Sequence, residues 1–150
     1  MKLPRRAWTD ERGAELIEFA FALPILLLVV AGIVDFGILF QRYETVTNAA
    51  REGARIGILP DYSEADIQGR VNSYLAASGL TAPAPAPVVT YGNVEMTPGG
   101  ATVSVVTVTV QYPHAFLFIG PAAVLVGGGG HADITLAAAS TMRREVAATP

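Results

Sequence analysis

The distribution of hydrophobic and polar positions splits the chain into two regimes. Between residues 19 and 41 the only charged side chain is Asp35. Phe19-Ala20-Phe21-Ala22-Leu23-Pro24-Ile25-Leu26-Leu27-Leu28-Val29-Val30 is apolar on every face, the pattern of a helix in lipid rather than one half-buried against protein. As a helix, residues 19–41 measure about 35 Å, enough to cross a hydrocarbon core of about 30 Å. Pro24 lacks an N–H and crowds the carbonyl one turn back, which predicts a kink or melted turn near Phe21. Beyond Gln41 the chain becomes polar without losing its helical spacing. Val46, Ala49, Ala50, Gly53, Ala54 and Gly57 recur every three or four residues, while Arg51, Glu52 and Arg55 fall on other faces. Such a stripe of small residues lets another helix approach closely. One long helix is therefore predicted over residues 14–58, half in lipid and half outside.

After Leu59-Pro60 the pattern changes. Ser63-Glu64-Ala65-Asp66 resembles a capping signal, and Ile67, Val71, Tyr74 and Leu75 mark one face of a short helix ending near Gly79. Thr81-Ala82-Pro83-Ala84-Pro85-Ala86-Pro87 reads as a stiff, polyproline-like linker. A strand starts at Val88 and runs to about Met96, and Thr97-Pro98-Gly99-Gly100 is a turn. In the strand over residues 102–112, Val103 and Val105 alternate with Thr102 and Ser104, then Val106, Val108, Val110 and Tyr112 take the opposite phase. A one-residue slip exchanges the two faces, so a β-bulge is expected near Val105-Val106. A third strand over about residues 132–144 should pair with the second. The connection between them carries Phe116-Leu117-Phe118-Ile119 and Ala122-Ala123-Val124-Leu125-Val126, broken by Gly120-Pro121 and too short to span a membrane. It is either a cover packed on the sheet or an exposed apolar patch for a neighbouring subunit or a membrane surface.

Composition agrees with this division. Hydrophobic residues make up 51% and charged residues 15% of the 150 residues, against about 25% charged in a typical soluble domain. A net charge of -3 gives no support for nucleic-acid binding, and the absence of cysteine excludes disulfides and thiolate chemistry. Lys2, Arg5, Arg6 and Arg12 precede the apolar run, set against Asp10 and Glu11, which keeps the N-terminus cytoplasmic. A cleaved secretory signal peptide also begins this way. The run is longer than a typical signal core, however, and the helical pattern continues where a cleavage site would stand.

Gly13-Ala14-Glu15-Leu16-Ile17-Glu18-Phe19 stands at the head of the helix. A lone carboxylate at Glu18 costs roughly 2–3 kcal/mol if drawn toward the bilayer centre. Cleavage after Gly13 would free the Ala14 amine. Glu18 of one subunit could then pair with that amine on a neighbour and set the axial register, the best-attested role of buried ion pairs. The alternative is a carboxylate that snorkels to the interface. Asp35, further along, is either a snorkelling or polar interhelix contact near the outer interface or a site for assembly machinery.

These residues resemble a class III, prepilin-type signal. Together with Leu23-Pro24, Gly32-Ile33-Val34-Asp35-Phe36-Gly37 and Asn48-Ala49-Ala50-Arg51-Glu52-Gly53-Ala54-Arg55, the chain is similar to the TadE-like proteins of tight-adherence (Tad/Flp) pilus systems over residues 12–59. A weaker likeness covers residues 101–145. The resemblance implies a minor pilin or pseudopilin cut by a prepilin peptidase between Gly13 and Ala14, with Glu18 and Phe19 serving assembly. It further implies partnership with other pilins or pseudopilins and an inner-membrane assembly platform, besides the lipid bilayer.

No catalytic constellation emerges. His114 and His131 are placed in loops without ligand spacing, the run Gly127-Gly128-Gly129-Gly130 lacks the following Lys-Ser/Thr of a phosphate loop, and neither metal nor cofactor is expected. The expected fold is α+β and pilin-like: a cytoplasmic leader (residues 1–13), the long helix (14–58, transmembrane over about 19–41), and a small extracytoplasmic domain (59–150) with a short helix and an antiparallel sheet of about three strands. The domain is small enough to need the helix extension for stability. Two rival readings remain: an unprocessed bitopic scaffold and an anchored adhesin domain of the cell envelope.

Overall fold

The computed structural model describes residues 11–80, 86–125, 127 and 133–144. Residues 1–10 of the predicted leader, the linker's Thr81 to Pro85, His131 and most of the glycine run lie outside these residues. Six elements follow in order: α1 (Glu11–Gly57), α2 (Glu64–Ala77), β1 (Val88–Glu95), β2 (Thr102–Ala115), α3 (Ile119–Leu125) and β3 (Asp133–Arg143). The strands form one antiparallel sheet in the order β1-β2-β3. The architecture is thus a long apolar N-terminal helix followed by a small domain with a short helix and a three-stranded sheet.

Helix α1 runs unbroken through Pro24, so the melted turn expected near Phe21 is absent. Its distal half is part of the domain. Val46, Ala49, Ala50 and Ala54 are buried against Ile67, Val71 and Leu75 of α2 and the inner face of the sheet, where Val106, Val108, Val110 and Tyr112 are also buried. The two glycines of the stripe allow this approach. A Cβ at Gly53 would stand 2.6 Å from Val71 Cγ2, and one at Gly57 would stand 3.0 Å from Val106 Cγ2. Burying each of the three valines of β2 contributes roughly 1.5–3 kcal/mol.

Helix α2 is closed at both ends by local hydrogen bonds. Ser63 Oγ accepts from the Asp66 N–H while Asp66 Oδ2 accepts from the Ser63 N–H at 2.9 Å, a reciprocal capping box. At the other end Gly79 takes φ +79°. The Leu80 and Gly79 N–H groups donate to the Leu75 and Ala76 carbonyls, a Schellman closure with Leu80 folded back onto the core. Glu52 of α1 accepts from Arg55 on its own helix and from Arg70 of α2 at 2.7 Å, an ion-paired bridge between the helices.

The sheet corrects several expectations. There is no bulge near Val105-Val106: β1 pairs with β2 without interruption from Val88↔Thr109 to Glu95↔Thr102. Val103 and Val105 belong to the outer face throughout and Val106, Val108 and Val110 to the inner one, so the apparent slip reflects apolar residues on both faces. β2 also continues past Tyr112 to Ala115. His114 therefore lies in a strand, buried on the inner face, rather than in a loop. Pro113 is tolerated because pairing with β1 has already ended, leaving only β3 beside β2 at that point. Finally, Gly120-Pro121 opens a short helix instead of breaking the connection, since proline fits the first helical turn.

Candidate functional site

The two halves of α1 present different chemistry. From Gly13 onward the helix is long and apolar enough to cross a membrane. The mean hydropathy of its most apolar window is 2.6, and none of that window is buried by protein. Phe21 at 76% and Ile33 at 68% are as exposed as residues of a helix with no neighbour. An apolar surface of this length is not left facing water in a stable soluble protein, and single-pass membrane anchoring follows from it.

At the head of this rod Gly13 is half-buried, and Ala14, Glu18 and Phe19 are exposed. A Cβ on Gly13 would meet nothing within 4 Å, so local packing does not demand glycine there. Among the described residues Glu18 has no hydrogen-bond or ion-pair partner. Among the described residues, none of these four is brought to another element. By contrast Ala49, Ala50, Gly53, Ala54 and Gly57 are brought together with α2 and β2, and the helix that approaches this stripe is α2 of the same chain.

Between the two halves lies a junction that sequence reasoning did not assemble. Asp35 is 1% exposed. Its Oδ1 accepts the Leu117 N–H at 3.0 Å, and its Oδ2 accepts the Phe118 and Ile119 N–H groups at 2.9 and 2.7 Å. One carboxylate thus holds three consecutive backbone donors at the corner where β2 enters α3. Phe116 packs edge-on against both Phe36 and His114, with ring centroids 6.1 and 5.1 Å apart. Two turns along α1, Arg42 donates from its guanidinium to His114 Nδ1 at 3.0 Å. Nδ1 therefore acts as an acceptor, which places the proton of the neutral ring on Nε2. Burial, and secondarily the Arg42 charge, hold the His114 pKa below its usual 6.5.

A signal for this junction exists in the sequence. Followed backward from Gly53 and Ala49 through Val46, the three- and four-residue spacing lands on Arg42, Leu39 and Asp35. The stripe facing the domain begins at Asp35, not at Val46, and two of its first members are charged.

Among the described residues no group of three or more His, Cys, Asp or Glu side chains is placed to hold a metal. A cavity of about 200 Å³ at the far end of the sheet is lined by Tyr91, Asn93, Ser104 and Arg144. The Arg144 guanidinium lies 4.6 Å from the centroid of the Tyr91 ring, a cation–π contact that closes the open end of the inner face.

Comparison with known families bears on the same helix. Residues 13–55 match the family model for TadE-like protein. The match starts at Gly13, covers the apolar rod, Asp35, Arg42 and the small-residue stripe, and stops just short of the end of α1 at Gly57. The TadE-like segment is therefore α1 itself, and the resemblance read from Gly13-Ala14, Glu18 and the stripe is shown there. Comparison with curated proteins and with solved structures gave no match.

Proposed function

We propose that this chain is a minor pilin or pseudopilin of a Tad-type pilus or a related secretion system, cut by a prepilin peptidase between Gly13 and Ala14. The observation that carries this reading is the coincidence of the TadE-like segment with one continuous helix. The first half of that helix is an unpartnered apolar rod, and its second half is the spine of a folded domain. A peptidase acting in the cytoplasm needs its scissile bond outside the bilayer and clear of the fold, and among the described residues Gly13-Ala14 meets no other element.

After cleavage the new Ala14 amine and Glu18 lie one helical turn apart. In an assembly of staggered copies, Glu18 pairs with the amine of the neighbouring subunit and fixes the axial offset, with Phe19 packed beside it. The exposed rod is the surface shared with other pilins and with the inner-membrane platform. The domain, held outside the cytoplasm, supplies structure rather than chemistry.

Intact-mass or N-terminal analysis of the protein from peptidase-competent cells tests the first step. A chain starting at Ala14 is expected, and an untouched Met1 would overturn processing and favour a permanent bitopic scaffold. Replacing Gly13 by a bulky residue should abolish the shorter species. Glu18→Ala should leave membrane insertion intact while fibre formation or secretion falls, and undiminished assembly would refute the registry role.

A further inference from the structure

The corner held by Asp35 lies at a depth along α1 that ordinary domain surface does not reach. With a rise of about 1.5 Å per residue, Asp35 stands about 26 Å from Glu18 along the helix axis. A hydrocarbon core about 30 Å thick that begins near Glu18 therefore still surrounds Asp35. The Leu117, Phe118 and Ile119 amides bonded to that carboxylate lie at the same height.

Irregular backbone is tolerated at such depth only when its polar groups are satisfied. Here three successive N–H groups are satisfied by one carboxylate, and the carboxylate is itself covered. The side chains the corner turns outward are apolar: Leu117 is 61%, Phe118 45% and Val124 65% exposed. Through their bonds to Asp35, Leu117 and Phe118 sit beside Val34 and Phe36 of α1, which are also exposed.

We propose that the corner of Leu117, Phe118 and Val124 is a second membrane contact, seated in the boundary layer of the leaflet from which α1 emerges on the domain side. The inference rests on the membrane-anchoring reading of α1. Its occupant is lipid, because Leu117 and Phe118 adjoin the apolar surface of α1 at Asp35 and share its depth. A two-point attachment would fix the tilt and rotation of the domain on the bilayer, which a single helix leaves free.

The absence of cysteine makes a direct test simple. Single-cysteine variants Leu117→Cys, Phe118→Cys and Val124→Cys of the full chain, labelled with an environment-sensitive NBD fluorophore, are reconstituted in phosphatidylcholine–phosphatidylglycerol vesicles. A fraction of the lipid carries a nitroxide high on its acyl chain. Leu27→Cys reports the rod and Thr90→Cys the outer face of the sheet. The corner labels are expected to be blue-shifted and to lose most of their emission to the nitroxide lipid, as Leu27→Cys does, while Thr90→Cys keeps its emission.

If Leu27→Cys is quenched and all three corner labels behave like Thr90→Cys, the second contact does not exist. If Leu27→Cys itself escapes quenching, the anchoring reading fails and takes the second contact with it. Corner labels that resist the nitroxide lipid and blue-shift only at high protein-to-lipid ratio would assign the patch to a second copy of the chain, overturning the proposal.

Discussion

The two halves of α1 are one helix made by two different rules. The rod over residues 19–34 is apolar on all faces and its most apolar stretch is left uncovered by protein, so its sequence answers to lipid rather than to packing within the chain. From Asp35 onward one stripe is fixed by contacts at ångström precision, while the other faces carry ordinary surface residues such as Glu44, Arg51 and Arg55. A substitution should therefore cost folding energy in the distal half and almost none in the rod, whatever its effect on assembly. Pattern separates these demands: the rod is an unbroken apolar run, whereas the buried stripe narrows to small residues from Ala49 to Gly57.

The largest expected effect lies at Gly53. A side chain there meets Val71 and Val108 at once, and neither lies at the end of a flexible chain. Gly53→Val should cost about 3 kcal/mol or more, at the upper end of what overpacking a core produces, and leave a protease-sensitive domain on an intact anchor. Val108→Ala, which only opens space, should cost roughly 2 kcal/mol. Leu27→Ala in the rod should leave the thermal unfolding of the domain in detergent unchanged. A loss at Leu27 comparable to that at Val108 would show that the halves are not energetically separate.

Much of this contrast was legible in the sequence because each half carries a strong, local pattern. The rod is marked by an unbroken apolar run and the stripe by spacing, and the capping box at Ser63 and Asp66 stood in plain view. What escaped was set by contacts distant in sequence. Asp35 and Arg42 share the stripe's phase, but a charged residue looks unsuited to a buried face until its partners are known. Those partners, the Leu117 to Ile119 amides and the His114 ring, come from more than seventy residues later in the chain. The missing bulge has a different cause. Val103 and Val105 are apolar although they face outward, so periodicity alone could not say which set was buried.

The junction gives the comparison a pH dependence. Burial holds the His114 pKa in the folded protein below the unfolded value of 6.5, so the ring is neutral at pH 7. Above about pH 6.5 both states are neutral and the histidine makes no pH-dependent difference. As pH falls below that value the unfolded chain takes up a proton that the folded one refuses, so stability falls until the lowered folded pKa is reached. The melting temperature of the domain should thus decline as pH falls below about 6.5, and His114→Gln should flatten that decline. The carboxylates do not obscure it. Hydrogen bonds from Arg55 and Arg70 lower the Glu52 pKa from 4.5, and those from Ser63 lower that of Asp66 from 3.8. Their stabilisation is lost only as pH falls below those ordinary values. An unchanged slope in His114→Gln would mean that the ring is not held neutral at the junction.

The smallest effect expected is at the ion pair between α1 and α2. Glu52 is mostly covered, but Arg70 is half exposed, so solvent screens much of the attraction and Arg70→Ala should cost only about 0.5 kcal/mol. Its value lies in locating the boundary between the halves of the helix. The pair joins α1 to α2 at the level of Gly53, well beyond the junction, so its loss should loosen the packing of α2 without disturbing the Asp35 corner. Hydrogen exchange separates the two. Amides of Ile67, Val71 and Leu75 should exchange faster in Arg70→Ala, while those of Leu117, Phe118 and Ile119 stay protected. Loss of protection at both places would mean that the corner and the domain open as one cooperative unit, and that the distal half of α1 acts as a single rigid spine from Asp35 to Gly57.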